Sequence, residues 1–166
     1  MGSARKRLLS LALLEPAWMG NEGLSAKEWA IRTELDRIAT LPPEEMMPAF
    51  VASQLAPGVE PPPPPPGPPP PWMAKRPPGL RTVTGVFNAS TIDLAKLREF
   101  DRPVDFALGG QSNRDYYGRM AERAADIFSD FTLDVFEQRH HFDPPDRAEP
   151  ERTASALLAL WTRAER

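Results

Sequence analysis

Hydrophobic and polar positions alternate along the chain in blocks of changing period. The run Leu8-Leu9-Ser10-Leu11-Ala12-Leu13-Leu14, bounded by Arg5-Lys6-Arg7 and by Glu15-Pro16, has the length and flanks of a buried parallel strand. Ser25 to Thr40 takes up a helical period. Ser25 is placed as N-cap with Glu28 three residues on, the capping-box spacing, and Trp29, Leu35 and Ile38 share a buried face with Ile31 at its margin. Pro42 and Pro43 end that helix and can open another, whose stripe is Met46, Met47, Phe50, Val51 and Leu55. Leu80 to Asn88 is rich in β-branched residues, yet Leu80, Val83 and Phe87 fall at helical spacing, and a helix is expected.

Asp93 to Leu97 reads as a short helical turn. The segment Val104-Asp105-Phe106-Ala107-Leu108 reads as a strand that Gly109-Gly110 ends. Asn113 to Phe128 is the most amphipathic helix, with Tyr116, Tyr117, Met120, Ala124, Ile127 and Phe128 on its inner side. A third strand follows at Phe131 to Phe136. A last helix opens at Pro150-Glu151 and turns Ala154, Leu157, Leu158 and Trp161 one way. Strands alternating with helices at these distances predict an α/β sheet of about three parallel strands, flanked by helices. Candidate chemistry belongs at the strand ends. Asp105, a carboxylate inside an apolar strand, needs a partner or a raised pKa.

Proline changes this picture, with 21 in 166 residues against an average near 5%. Pro61 to Pro66 and Pro68 to Pro71, separated by Gly67, restrict the backbone to polyproline II. Eleven such residues span about 34 Å. Two roles follow. The tract is a stiff strut across the protein's own surface with its end pinned by Trp72 and Met73, or a ligand for an aromatic-lined groove of the SH3, WW, EVH1 or profilin type.

The net charge of −3 argues against nucleic acid as a partner. No apolar run reaches the roughly 18 residues of a membrane span, so no membrane insertion is expected. The absence of cysteine removes disulfides, thiolate ligands and cysteine nucleophiles. The basic-apolar start has the outline of a signal peptide, but Glu15 interrupts it and Pro16-Ala17-Trp18 is no small-x-small cleavage site. A cytoplasmic location is expected. His140 and His141 would need a third ligand from Glu137 or Asp143 to hold a metal; neither a metal nor a cofactor is called for.

The order of these elements resembles the C-terminal portion of the α/β-hydrolase family. Asp93-Leu94-x-x-Leu97-x-x-Phe100-x-x-Pro103 leads to a strand and Gly109-Gly110, then a helix, a strand, a histidine, and Pro150-Glu151 opening a terminal helix. Leu11-Ala12-Leu13-Leu14-Glu15-Pro16-Ala17 is similar to the strand that follows the family's nucleophile helix. The resemblance implies a core portion in residues 1–19 and 89–166, and a helical cap in 20–88 that carries the polyproline tract at 61–71. It implies ester or acyl hydrolysis through a serine, with His141 as base and His140 as its alternative. The acid orienting that base is Glu15, at the end of the preceding strand, or Asp115, since the usual position falls on Ser112 or Asn113.

The family's Gly-x-Ser-x-Gly elbow does not occur. Gly110-Gln111-Ser112-Asn113-Arg114 misses it at the last residue, where Arg114 stands for the glycine that lets helix and strand approach. The resemblance therefore implies a truncated hydrolase, inactive alone. An apolar ester is its substrate if completed, and the open sheet edge is a place for a second copy or an N-terminal half.

Overall fold

The structure, a computed structural model, describes residues 8–63 and 66–166. The readings made of Arg5 to Arg7 and of Pro64 and Pro65 lie outside them. Three parallel strands form one sheet: β1 (Leu11–Leu14), β2 (Val104–Gly109) and β3 (Phe131–Phe136), in the order β1-β2-β3. Leu11 is in register with Val104, and Val104 with Phe131. The first strand is shorter than its apolar run, with Leu8 and Leu9 exposed before it. It lies at an edge of the described sheet, with β2 in the centre.

Period-2 alternation sets the two faces of β2. Val104, Phe106 and Leu108 are fully buried. They join a core with Leu35 and Ile38 of α1 (Ala26–Thr40), Met46 of α2 (Pro43–Ser53), and Tyr117, Met120, Ala124 and Ile127 from the segment after β2. The capping box of α1 is present, with the Ser25 hydroxyl accepting from Glu28 N and the Glu28 carboxylate accepting from Ser25 N. Its buried face differs from the expected one. Trp29 is half exposed, and Arg32 and Ala39 are buried beside Leu35 and Ile38.

The proline tract is no continuous strut. Gly67 has φ +94, outside polyproline II, so the chain bends there. Residues 60–63 and 66–72 are all exposed, and the Arg76 guanidinium lies over the Trp72 ring at 5.2 Å. The short 3₁₀ turn Pro71–Lys75 then runs into α3 (Arg76–Ala89), which packs on α1 and α2. Arg81 Nε donates to the carbonyl of Ala39 at 2.9 Å.

A short α4 (Leu94–Arg98), capped by Asp93, leads to β2. Beyond β2 the expected single helix is two pieces: a π-helical turn at Arg114–Gly118 and α5 (Arg119–Ile127). All six of its expected inner residues are buried. After β3 come α6 (Pro145–Ala148), which the periodicity did not mark, and α7 (Pro150–Ala164).

Helix α7 covers the opposite face of the sheet through a different stripe from the one expected. Leu160 and Ala164 are buried, Thr153 and Leu157 face the strands, and Leu158 and Trp161 are more than half exposed. Leu157, Leu160 and Ala164 recur at helical spacing with Thr153 and Ala156 and form an apolar stripe of their own. Asp105 points to this face, and Arg163 at the margin of the stripe donates to its carboxylate at 2.7 Å, so the carboxylate in the apolar strand is paired.

Candidate active site

The C-terminal ends of the three strands converge on Glu15, Gly109-Gly110 and the loop after β3. Glu15 is the first residue beyond β1 and has φ +42, the sole non-glycine in the left-handed region among the described residues. A residue before proline normally stays extended, so this conformation is held against local preference. Its two carboxylate oxygens do the holding. Oε1 accepts from Gly109 N at 2.7 Å, and Oε2 lies 3.0 Å from His141 Nδ1. The Glu15 side chain is about nine-tenths buried and that of His141 is 29% exposed. A carboxylate accepts only, so Nδ1 carries the proton of this bond, and in the neutral ring Nε2 is then the acceptor nitrogen.

The loop carrying His141 is stitched to the turn after β2. Gly110 N donates to Phe136 O and Gln111 N to Arg139 O, each at 2.9 Å. Both glycines are required by closeness. A Cβ on Gly109 would sit 2.6 Å from Arg139 O, and one on Gly110 2.6 Å from Glu137 O. The loop's far side is fastened by Arg139, which pairs with Asp143 and Glu149 at 2.9 Å each. Hydrogen bonding from Arg139 holds the Glu149 carboxyl below its ordinary range.

The plane of the imidazole is set by Tyr117. The two rings stack with centroids 4.7 Å apart and planes 18° from parallel. The π-helical turn brings neighbouring Tyr116 and Tyr117 inward together. Tyr116 donates to Ala17 O at 2.5 Å, tying down the segment after Glu15. Tyr117 donates to Gln54 Oε1 at 2.6 Å, and Gln54 is the buried C-cap of α2. The same end of α2 receives Asn113 N at Gln54 O and Asn113 Nδ2 at Ser53 O. Tyr117 and Gln54 are functional candidates that periodicity marked only as interior. Their polar ends, a phenol and an amide at inward positions, were the signal available.

A cavity of about 160 Å³ adjoins the pair, walled by Leu14, Glu15, Ala107, His140, His141 and Pro144 among others. No residue of the insertion at 20–88 lines it. His140 does, but its Nδ1 accepts from Phe142 N at 3.2 Å, and it makes no hydrogen bond or ion pair with Glu15 among the described residues. Asp115 is elsewhere. It lies in the first turn after Asn113 beside a cleft formed with Arg32 and Arg119, with no hydrogen bond or ion pair to His141 among the described residues. Ser112 is fully buried with its hydroxyl unpaired. The geometry brings together a base and a carboxylate, His141 and Glu15, and leaves Asp115 and Ser112 out. What it can do chemically is take a proton at Nε2 while the carboxylate steadies the imidazolium.

No protein-family model and no curated protein matches the chain. Solved structures do. A membrane phospholipase A, described as a bacterial virulence factor, aligns over 98% of this chain and 52% of its own, at 15% identity and TM-score 0.57. A hydrolase from Pseudomonas aeruginosa PA01 aligns over 96% and 57%, at 15% identity and TM-score 0.53. An α/β hydrolase from Sphaerobacter thermophilus DSM 20745 aligns over 89% and 58%, at 18% identity and TM-score 0.41. The chain spans little more than half the length of these structures. The first and second of them give it an α/β-hydrolase-like fold, in which three parallel strands form one open sheet between helices. No helix among the described residues is long and apolar enough to cross a membrane.

Of the two tyrosines of the chain, Tyr117 stacks on His141 and Tyr116 packs on Tyr117, and burial pushes both phenols above their ordinary range. A raised acid contributes stability that is intact below its unfolded value, about 10, and is lost as pH rises beyond it, by roughly 1.4 kcal/mol per unit for each group. An alkaline titration following phenolate absorbance and circular dichroism together should show ionisation arriving with unfolding. Phenolate formed near pH 10 with the fold intact would contradict the burial of this pair.

Proposed function

We propose that the chain carries the base and acid of an α/β-hydrolase-type ester or acyl hydrolase, with His141 as general base and Glu15 as the carboxylate orienting it. The observation that supports this reading best is the Glu15–His141 hydrogen bond at the C-terminal ends of adjoining parallel strands. On this reading Nε2 of His141 takes the proton of an attacking hydroxyl and returns it to the leaving group. The hydroxyl comes from a segment outside this sequence, because the elbow motif does not occur in it and Ser112 is buried. Residues 20–88 are the cap, and α2 reaches the base through Gln54 and Tyr117. The substrate class is an apolar ester.

The chain by itself is then expected to hydrolyse p-nitrophenyl acetate and butyrate no faster than its His141→Ala variant, and to resist labelling by a fluorophosphonate. Turnover lost in His141→Ala and kept in Ser112→Ala would place a nucleophile elsewhere in this chain. Turnover or labelling lost in Ser112→Ala would make that serine the nucleophile. Either result overturns the proposed division of parts.

A second reading is favoured by the exposure of the proline tract, which the protein's own surface does not cover on either side of Gly67. Here the chain is a binding module that offers polyproline II to an aromatic-lined groove. Replacing Pro61 to Pro66 together with Pro68 to Pro71 by a Gly/Ser linker should abolish capture by SH3, WW or profilin-like domains, and unchanged capture would rule this reading out.

A further inference from the structure

A hydrogen bond at one nitrogen does not by itself aim an imidazole. With the Glu15 bond at Nδ1 alone, the His141 ring can tilt about that contact, and the direction of Nε2 tilts with it. A base works well only when that direction is held to roughly 10–20°. Two ring contacts restrict the tilt. Phe142, the next residue on the same loop, meets the imidazole edge-on at 5.3 Å and moves with it. Tyr117 lies flat against it from a separate element, the π-helical turn after β2. The Tyr117 contact is therefore the one that ties the plane of the ring to the rest of the fold.

Tyr117 holds the imidazole only as firmly as it is held itself. Its ring is 1% exposed, and its hydroxyl has one hydrogen-bond partner among the described residues, Gln54 Oε1 at 2.6 Å. The phenol is the donor and the amide oxygen the acceptor, and the bond is buried, where water does not compete for it. Gln54 is 2% exposed, and its Nε2 donates to Ser53 Oγ at 2.8 Å. The backbone around it is anchored independently. Asn113 N donates to Gln54 O and Ala56 N to Gln111 O, each at 2.9 Å, and Asn113 Nδ2 donates to Ser53 O at 2.7 Å. The end of α2 therefore keeps its place without the Gln54 amide, and the hydrogen bond that this amide makes outside its own segment is the one to the phenol.

We propose that Gln54 is a positioning residue for His141. Through Tyr117 it fixes the plane of the imidazole, so that α2, a helix of the insertion, sets the direction in which the base presents Nε2. This role rests on the reading of His141 as a base, but the orientation of the ring is measured without any reaction.

The Cε1–H and Cδ2–H signals of His141 in a ¹H–¹³C spectrum of the full chain, at a pH where the ring is neutral, report that orientation, with His140 as internal reference. Tyr117→Leu removes the stacked face and should move the His141 signals downfield as its shielding is lost. Tyr117→Phe keeps the ring and removes the donor, while Gln54→Met keeps the length and removes the acceptor. Each should shift the His141 signals by less than Tyr117→Leu does, with those of His140 and the circular dichroism unchanged. Because the same bond is lost either way, the double variant should move His141 no further than the larger single shift. Unchanged His141 signals in Tyr117→Phe or in Gln54→Met, with the fold retained, would overturn the role. Shifts that add in the double variant would overturn it too, since the two residues would then act independently. If Gln54→Met does not fold, Tyr117→Phe decides alone, because it breaks the same bond in a ring of unchanged shape. Failure of the hydrolase reading in the ester and fluorophosphonate assays leaves these shifts as they are, so the two failures are told apart.

Discussion

The carboxylate of Glu15 is the joint on which this half-site depends. One residue accepts from the backbone of β2 at Gly109 and from the imidazole that follows β3, so a single side chain ties the ends of all three strands together. Bonds to a charged acceptor contribute about 1.5–3 kcal/mol each, enough to hold the left-handed backbone that Glu15 adopts ahead of Pro16. Loss of that carboxylate would release both the turn and the histidine.

Around this joint the site is supported from three directions. From β2, two glycines let the histidine loop approach to distances that no Cβ permits. From the C-terminal side, Arg139 fastens the loop to Asp143 and to Glu149 at the start of α7, while Arg163 anchors that helix on Asp105. From the helical insertion, the end of α2 is bonded to Asn113 and Tyr117, and Tyr117 lies flat against His141. The insertion thus meets the base through a buried hydrogen bond and a ring face, while the open cavity lies among the strand ends.

Much of this was legible in the residues. The three strands follow from apolar runs closed by Glu-Pro and Gly-Gly, and the capping box at Ser25 and Glu28 places α1 to within a residue. His141 and Glu15 were both candidates through the resemblance to the α/β-hydrolase family, which implies a base and an acid at these two strand ends. Choosing Glu15 over Asp115 needed three dimensions, since a first-turn residue can point to either side of its helix. The faces of α1 and α7 differ from the expected ones. Trp29, Leu158 and Trp161 are at least half exposed, while Arg32 and Ala39 are buried in α1 and Leu160 and Ala164 in α7. Each helix offers more than one set of positions at helical spacing, and the period alone does not choose between them. The bend at Gly67 was missed because a tract so rich in proline was read as one rod, and one glycine with positive φ is enough to break it.

That Glu15 sets the proton position on His141 is the central claim, and the imidazole tautomer reports it most directly. In a two-bond ¹H–¹⁵N correlation spectrum at a pH where the ring is neutral, with His140→Gln used to assign the signals, His141 should carry its proton on Nδ1 with Nε2 bare. Glu15→Ala should lose that preference while the strands remain folded. A wild-type ring protonated on Nε2, or one unchanged by Glu15→Ala, would contradict the account.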